Sequence, residues 1–470
     1  MVRRAGRIPA RLGPSHYASR TDPVTRRTMR VVIVGAGHDG FYLAERLTAE
    51  RQDVVLIEAD EQKAARAQDR LDALVIVGNG ASPSVLRRAG TERADLVLAV
   101  SDSDGANVMA CHSAKELGAR RTVARVEDRE LREVSPGLGV DVAIDARESA
   151  AREVLALVRH PGTSDYFEFA GGKLVLLGGR VHAGSRAAGA LVADLRRASG
   201  WEWVLAAAIR EGRTIIGRAD VRLAPGDHVL LMVPGDAIGR ATDLLGITRP
   251  PVRRVVVLGG TRIAEMAAQA VAEEGHAVVV VDSDEARCTQ MARTVRGLVL
   301  HGDPTDPEVL ARLEIGRGDV IAALSGWDEV NLMSSLVARA VGAPTVITRF
   351  GRRSLAGLLK DVVGIDAVIS SRIAAANAIL QFIRRDRILS VATFKDTDAE
   401  AMELVVSPSS PAVGQSLAQI GSHPGAVVCG VIGDGTASIP HGGTSVHAGM
   451  RLVVLALREQ IDDVERAFLA

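Results

Sequence analysis

The residues best suited to chemistry lie in one short run, Gly35-Ala36-Gly37-His38-Asp39-Gly40, which fits the pattern G-x-G-x-x-G. Glycines at that spacing let backbone N–H groups approach a pyrophosphate at the positively polarised start of a helix. The pattern alone is weak. Here it follows the apolar run Val31 to Val34 and opens a helical pattern, and Glu58 stands 18 residues after Gly40, at the end of the next apolar run. An acid at that place accepts hydrogen bonds from ribose hydroxyls. Its neighbours Ala59 and Asp60 offer no cation for a 2′-phosphate, so NAD(H) or an adenine nucleotide is favoured over NADP(H).

Further candidates follow at the carboxyl ends of later strands, where open α/β sheets hold ligands. Gly78-Asn79-Gly80 ends the third strand and Ser101-Asp102-Ser103-Asp104 the fourth. Asn79 either reads an adenine or ribose edge or forms a left-handed turn before the helix N-cap Ser82. Arg125, ending the fifth strand, is either a phosphate partner or one half of a surface salt bridge. Asp39 inside the glycine loop is awkward, because a carboxylate repels a pyrophosphate; the expectation is that it points to solvent, and that His38 is an ordinary surface or packed residue. Catalytic groups are missing: no Tyr is followed four residues later by Lys, no Cys sits with a convergent His, and the 11 His show no HExxH spacing. A dinucleotide site without proton-transfer partners suits a sensor rather than a dehydrogenase.

The elements that must position these residues emerge from an internal repeat. Shifting the chain by 224 positions aligns residues 31–125 with 255–349 without a gap, bringing Glu58 onto Asp282, Asn107 onto Asn331 and Arg125 onto Arg349. Farther along the offset becomes 225 and then 223, so the chain is a tandem duplication of a unit of about 220 residues. The first part of each unit alternates short apolar runs with helical patterns: strands at 31–34, 54–57, 74–77, 96–100 and 122–126, helices at 38–50, 61–70, 82–89 and 105–117. Runs apolar on both faces belong to a parallel sheet covered by helices on either side, a doubly wound α/β architecture. The second part, 165–246, reads as strands at 173–177, 203–210 and 228–233 with helical pieces at 186–198 and 236–245, a small α+β lobe, and Thr248 to Val252 links the units.

The second copy keeps this layout and loses the glycine fingerprint. Gly259-Gly260-Thr261-Arg262-Ile263-Ala264 puts Thr261 and Ala264 where the first copy has Gly37 and Gly40, and a Cβ at 261 crowds the closest backbone approach. Asp282 and Arg349 remain, Arg262 adds a cation, and Asp303 is a further candidate binding residue. This half is either a second nucleotide site, with Arg262 substituting charge for backbone contact, or a structural lobe.

Composition narrows the class. At 470 residues, 47% apolar and 3% aromatic, the chain predicts several domains with cores of Val, Leu, Ile and Ala. Charges cancel at 57 against 57, but residues 1–28 hold seven Arg and one acid, leaving a body of net charge about −6 that is a poor generic binder of nucleic acid or anionic membrane. The basic extension is expected to be disordered, or to precede a start at Met29, with a docking tail as the alternative. Cys111, Cys288 and Cys429 have no CxxC spacing, which points to a reducing cytosol, and no apolar run approaches the ~20 residues that span a bilayer.

From Met29-Arg-Val-Val-Ile-Val-Gly-Ala-Gly through Gly78-Asn-Gly-Ala-Ser-Pro-Ser-Val-Leu, Ala94-Asp-Leu-Val-Leu-Ala-Val and Ala124-Arg-Val, with the lobe ending Leu223-Ala-Pro-Gly-Asp-His-Val-Leu, the sequence resembles the TrkA family of RCK (regulator of K⁺ conductance), or KTN, proteins in their tandem form. The resemblance covers everything after residue 28. It implies two Rossmann-like nucleotide-binding lobes, at 29–150 and 253–375, each followed by a small α+β lobe, at 165–246 and 388–470. It further implies a non-enzymatic gating subunit that binds NAD(H) or ATP/ADP, forms a homotetrameric ring, and sits in the cytoplasm on the inner face of the plasma membrane through a membrane-embedded Trk-type K⁺ transporter. Gly35, Gly37, Gly40, Glu58, Asn79, Asp104 and Arg125 match the family's ligand-lining positions. A second Arg often found two residues after Arg125 is Glu127 here, and Gly449-Met450 stands where the first small lobe has Gly226-Asp227. The alternatives are a gating subunit of another cation channel or antiporter, and an NAD-dependent oxidoreductase.

Overall fold

The computed structural model describes residues 28–351, 364–370, 388–394, 397–421, 423–433 and 435–469, together with Ile373 and Ile379. The expectations for the basic extension at 1–27 lie outside them. Strands β1 (Arg30–Val34), β2 (Asp53–Glu58), β3 (Leu74–Val77), β4 (Leu96–Ala99), β5 (Thr122–Arg125) and β6 (Val142–Ile144) form a parallel sheet in the order β3-β2-β1-β4-β5-β6. The order reverses between β1 and β4, which opens a crevice beyond their carboxyl ends. Alternation along β1 supplies both helical layers: Val31 and Ile33 enter one core with Leu43 and Leu47, Val32 and Val34 the other with Leu86 and Val108.

A five-stranded antiparallel sheet follows, β7 (Asp165–Phe169), β8 (Leu174–Arg180), β9 (Val204–Arg210), β10 (Arg213–Ile216) and β11 (His228–Pro234), in the order β10-β9-β11-β8-β7. The helix expected over 186–198 spans only Val192–Ser199, because Gly189 turns at φ 77° and Leu191 bridges to Arg222. The second copy repeats the plan. Strands β12 (Arg254–Leu258), β13 (Ala277–Asp282), β14 (Leu298–His301), β15 (Asp319–Ala323), β16 (Thr345–Arg349) and β17 (Ala367–Ile369) make a parallel sheet in the order β14-β13-β12-β15-β16-β17. Strands β18 (Ile388–Thr393), β19 (Ala399–Val405), β20 (Ala426–Gly433), β21 (Thr436–Ser438) and β22 (Arg451–Leu457) make the last sheet, in the order β18-β19-β22-β20-β21. The fold class is therefore two Rossmann-like parallel sheets with small antiparallel sheets after them.

The copies complete one another. Helix Ala146–Arg159 leaves the first sheet and buries Ala150, Val154, Leu157 and Val158 against helix Arg262–Glu273 and the second sheet. In return Ile379, the repeat counterpart of Val154, packs among Val31, Ile33, Leu43 and Leu47 of the first. The small lobes share a core in which Phe167 meets Phe394 edge to face at 5.2 Å, and Lys173 Nζ donates to the Gly435 carbonyl at 2.6 Å. This reciprocal packing brings the two glycine loops to one interface.

The Gly226-Asp227 turn of the first small lobe is tied by charge. Asp227, 2% exposed, accepts from Arg210 Nε at 2.8 Å and Nη2 at 2.7 Å and from the Ala224 amide at 2.7 Å. Burial opposes its ionisation, but the guanidinium and the amide outweigh that and hold the carboxyl below its usual value. A depressed carboxyl stabilises the fold above its unfolded pKa and loses that contribution as pH falls through the folded value. Asp227→Asn is expected to cost about 1–3 kcal/mol at pH 7 and progressively less as pH falls below the ordinary carboxylate range through the depressed folded value, read as urea midpoints across pH. A loss that stays constant down to acid unfolding would exclude the ionic account.

Candidate functional site

The three glycines of the first loop serve three different steric ends. Gly35 turns out of β1 at φ 101°, and a Cβ there would lie 2.9 Å from the Ser101 nitrogen across the switch point. A Cβ on Gly40 would fall 1.8 Å from the Gly35 carbonyl oxygen, so its absence lets the helix sit down on the loop. Gly37 is the N-cap of helix His38–Ala49, has no side-chain cap, and faces open space: beyond its chain neighbours, nothing among the described residues lies within 4 Å of where its Cβ would be. An uncapped helix start with room before it is a cradle for an anion.

Glu58, ending β2, spans this loop. Its Oε2 accepts from the Ala36 amide at 2.5 Å and its Oε1 from the Asp60 amide at 2.9 Å. Asn79 Oδ1 accepts from the Ala81 amide at 2.9 Å, an Asx turn made without the left-handed backbone that the sequence suggested. Asp104 Oδ2 accepts from the Glu127 and Asp128 amides at 2.8 and 2.7 Å and so fixes the loop after β5. A residue that the motif reading passed over holds the switch point: buried Asn107 accepts from the Ser101 amide at 2.8 Å and donates to the Ser101 and Arg125 carbonyls, both at 2.9 Å. Asn331 makes the same three bonds in the second copy, so the repeat alignment was the signal.

The expectation that Asp39 points to solvent is wrong. Its side chain is 16% exposed and accepts from Arg125 Nη1 at 2.7 Å, with Asp102 and Glu127 each 3.5 Å from Nη2. The guanidinium cancels the repulsion that the glycine loop otherwise sets up. Burial works against the Arg125 charge, and these carboxylates, Asp39 first, outweigh it and raise its pKa. An arriving phosphate must compete with Asp39 for this cation. Asp39→Asn is therefore expected to tighten anion binding roughly fivefold, about 1 kcal/mol. Titration of ADP into the variant checks the sign, and weaker binding would mean that the pair positions the loop instead.

The second loop is built differently. Thr261 caps its own helix: Oγ1 accepts from the Ala264 amide at 3.3 Å and donates to the Leu324 carbonyl at 2.7 Å. Asp282 accepts from the Gly260 and Asp284 amides and pairs with Arg287 at 3.2 Å. A Cβ on Gly259, which turns at φ 109°, would lie 2.7 Å from Ser325. Asp303 closes an Asx turn on Thr305 at 2.8 Å, and Arg262 is turned onto Glu265 of its own helix at 2.7 Å. Arg349 donates to the Ser325 carbonyl at 2.9 Å, its Nε is buried without a hydrogen-bond partner among the described residues, and burial lowers its pKa against the pull of Asp328.

Both loops open on a cleft of about 630 Å³ between the two copies. Of the residues singled out in the sequence, His38, Asp39, Asp102, Arg125, Glu127, Thr261, Arg262 and Arg349 line it. Gly35, Gly37, Gly40, Glu58, Asn79, Asp104, Gly259, Asp282 and Asp303 lie outside its lining, the first loop reaching it through His38 and Asp39. Arg147, on the exchanged helix, also lines it and pairs with Glu127 at 2.9 Å. No motif marks Arg147, since its place depends on how the copies pack. The cleft's charged lining is four guanidiniums (Arg125, Arg147, Arg262 and Arg349) against five carboxylates (Asp39, Asp102, Glu127, Asp328 and Glu329), so an arriving anion must displace carboxylates from those cations. Among the described residues no helix is long and apolar enough to cross a membrane.

Comparison with known proteins agrees with this plan. The TrkA-N domain model matches residues 31–146 and again 255–371, and the TrkA-C domain model matches 401–469. A Trk system potassium uptake protein TrkA homolog of Archaeoglobus fulgidus is 34% identical over 447 residues, 94% of this chain and all of that protein. The Trk system potassium uptake protein TrkA of Azorhizobium caulinodans is 31% identical over 452 residues, covering 94% and 98%. Among solved structures, the GsuK RCK domain superposes with a TM-score of 0.60 at 18% identity, covering 95% of this chain and 96% of that one. The GsuK channel bound to NAD gives 0.59, also at 18% identity, over 95% and 80%. On two TrkA-N matches, a TrkA-C match and similarity along nearly its whole length, the chain belongs to the TrkA family.

Proposed function

We propose that this chain is a nucleotide-sensing regulatory subunit of a Trk-type potassium uptake system, in which NAD(H), ATP or ADP binds the first glycine loop and shifts the conformation of a membrane-embedded partner without being chemically changed. The observation that carries the reading is the contrast between the loops: the helix start at Gly37 is open and uncapped, whereas the one at Thr261 is closed by its own side chain. Gly35, Gly37 and Gly40 would hold the phosphates on backbone amides, Glu58 would release the Ala36 amide and turn to a ribose, and Arg125 would exchange Asp39 for phosphate. The second loop, with Gly259, Arg262, Asp282, Asp303 and Arg349, would contribute mainly its cations to the shared cleft.

Relatives named as Trk potassium uptake proteins, and an NAD-bound channel with the same fold, support the assignment. A ligand between two lobes regulates only through unequal affinity for their two arrangements. Coupling of ~1–3 kcal/mol changes a partner's open probability about 5- to 150-fold. In this reading the chain assembles as a homotetrameric ring, divides into lobes at 29–150, 165–246, 253–375 and 388–470, and stays on the cytoplasmic face through its partner. Rubidium flux into vesicles holding the K⁺-translocating partner tests it. Flux should depend on added chain and change with NAD(H), ADP or ATP, and flux indifferent to both would refute the assignment.

A further inference from the structure

We propose that Trp327 is a stacking platform for the second, non-adenine ring of a dinucleotide, offered by the second copy to a ligand whose phosphates lie on the first. This rests on the reading above that the first glycine loop holds a nucleotide. Trp327 is 72% exposed, an unusual state for the largest apolar side chain, which normally buries most of its surface. It lines the cleft between the copies with Arg262 and Arg349 on its own side and His38, Asp39 and Arg125 opposite.

Its position breaks a local rule. Trp327 is the N-cap of helix Asp328–Ala340 and makes no side-chain cap. At the matching position of the first copy stands Ser103, whose Oγ accepts from the Ala106 amide at 3.3 Å. The second copy has a largely exposed aromatic in place of a favoured cap, and such departures concentrate at functional sites. The backbone carrying it is nevertheless fixed. Ser325 Oγ accepts from the Trp327 amide at 3.2 Å and donates to its carbonyl at 3.1 Å, while Asn331, 1% exposed, holds Ser325 at 2.7 Å. A ring on a fixed backbone binds with little ordering cost.

The chemistry of the cleft selects the occupant. Glu58, which suits a ribose, lies outside the cleft, so an adenosine held there would run past the Gly37 helix start and deliver into the cleft whatever follows the pyrophosphate. In NAD(H) that is a second nucleoside with an aromatic ring; in ADP nothing follows, and in ATP only phosphate. The volume of 630 Å³ accommodates such a group. Because Thr261 already caps the second helix, the ligand's phosphates are assigned to the first copy. Trp327 thereby separates dinucleotides from mononucleotides.

The test titrates NAD⁺ and ADP into the full-length chain and its Trp327→Ser and Trp327→Phe variants. Serine copies Ser103 and restores a cap, so the variant should melt no lower than wild type. It should lose NAD⁺ affinity by roughly 5- to 150-fold, the usual effect of removing one stacked aromatic, while ADP changes less than twofold. Phenylalanine should keep most of the NAD⁺ affinity. Unchanged NAD⁺ binding in Trp327→Ser, or NAD⁺ and ADP weakening together, overturns the proposal. So does a variant that binds both normally but changes its oligomeric state in light scattering, which would make Trp327 a contact between chains. A wild type that binds neither nucleotide removes the underlying function as well.

Discussion

Arg46→Ala should lower the unfolding free energy by about 3–5 kcal/mol, the usual consequence of stranding a buried charge. Arg46 lies near the end of helix His38–Ala49 and is 4% exposed. Its Nη2 pairs with Glu400 of β19, which is fully buried, and its Nε lies 3.4 Å from Glu50 one turn on. Arg458, 3.5 Å from Glu400, adds a second cation. Truncating Arg46 leaves Glu400 in the low dielectric with only the more distant guanidinium and its remaining neighbours. Replacing both partners, Arg46→Met with Glu400→Leu, should recover most of the loss. Denaturant unfolding of the two variants decides the matter, and a single-variant loss below about 1 kcal/mol would contradict it. The matching residues of the other repeat are Ala270, Val175 and Gly235, none of them charged. The helix that opens at the first glycine loop is thus tied by charge to the second small lobe, about 13 Å along its axis from Gly37. Occupancy of the loop and docking of that lobe therefore share one rigid element.

Gly37→Asp is expected to abolish nucleotide binding, by at least about 100-fold, while leaving the fold intact or slightly firmer. The backbone at Gly37 is extended, φ −61° and ψ −174°, so any side chain fits, and beyond its chain neighbours no atom of the described residues stands within 4 Å of the new Cβ. Aspartate is a favoured N-cap, and its carboxylate would occupy the amides that otherwise meet a phosphate, adding about 1 kcal/mol to stability. Opposite signs for stability and affinity distinguish this outcome from misfolding. Calorimetric titration of NAD(H), ADP and ATP provides the measurement. Affinities equal to wild type would mean that the phosphates bind elsewhere.

Much of this arrangement is legible in the sequence because it is local. The period-two burial of Val31 to Val34, the glycine spacing and the carboxylate at Glu58 are settled by neighbours within some thirty residues, and the offset of 224 repeats them. Strands β6, β7 and β10 were not anticipated: they are short, and β7, reading Asp-Tyr-Phe-Glu-Phe, mixes charge with its apolar face. The partner of Asp39 was hidden because Arg125 is 86 residues away, and a motif carries no record of what folds over it. Exchange of helix Ala146–Arg159 was hidden for a related reason. Ala150, Val154 and Leu157 form an apolar stripe that would fit either sheet, and only the three-dimensional packing selects the second. Trp327 stood in plain view opposite Ser103 in the repeat, but its meaning depends on the cleft beside it.

The most direct test of the account is equilibrium binding of NAD(H), ADP and ATP to the full-length chain, followed by recovery of the bound molecule. The account predicts saturable uptake of about one molecule per chain, lost in Gly37→Asp, with the nucleotide recovered unchanged and no drift of the NADH absorbance at 340 nm. Turnover of any nucleotide or metabolite, or no uptake at millimolar concentration, would contradict it.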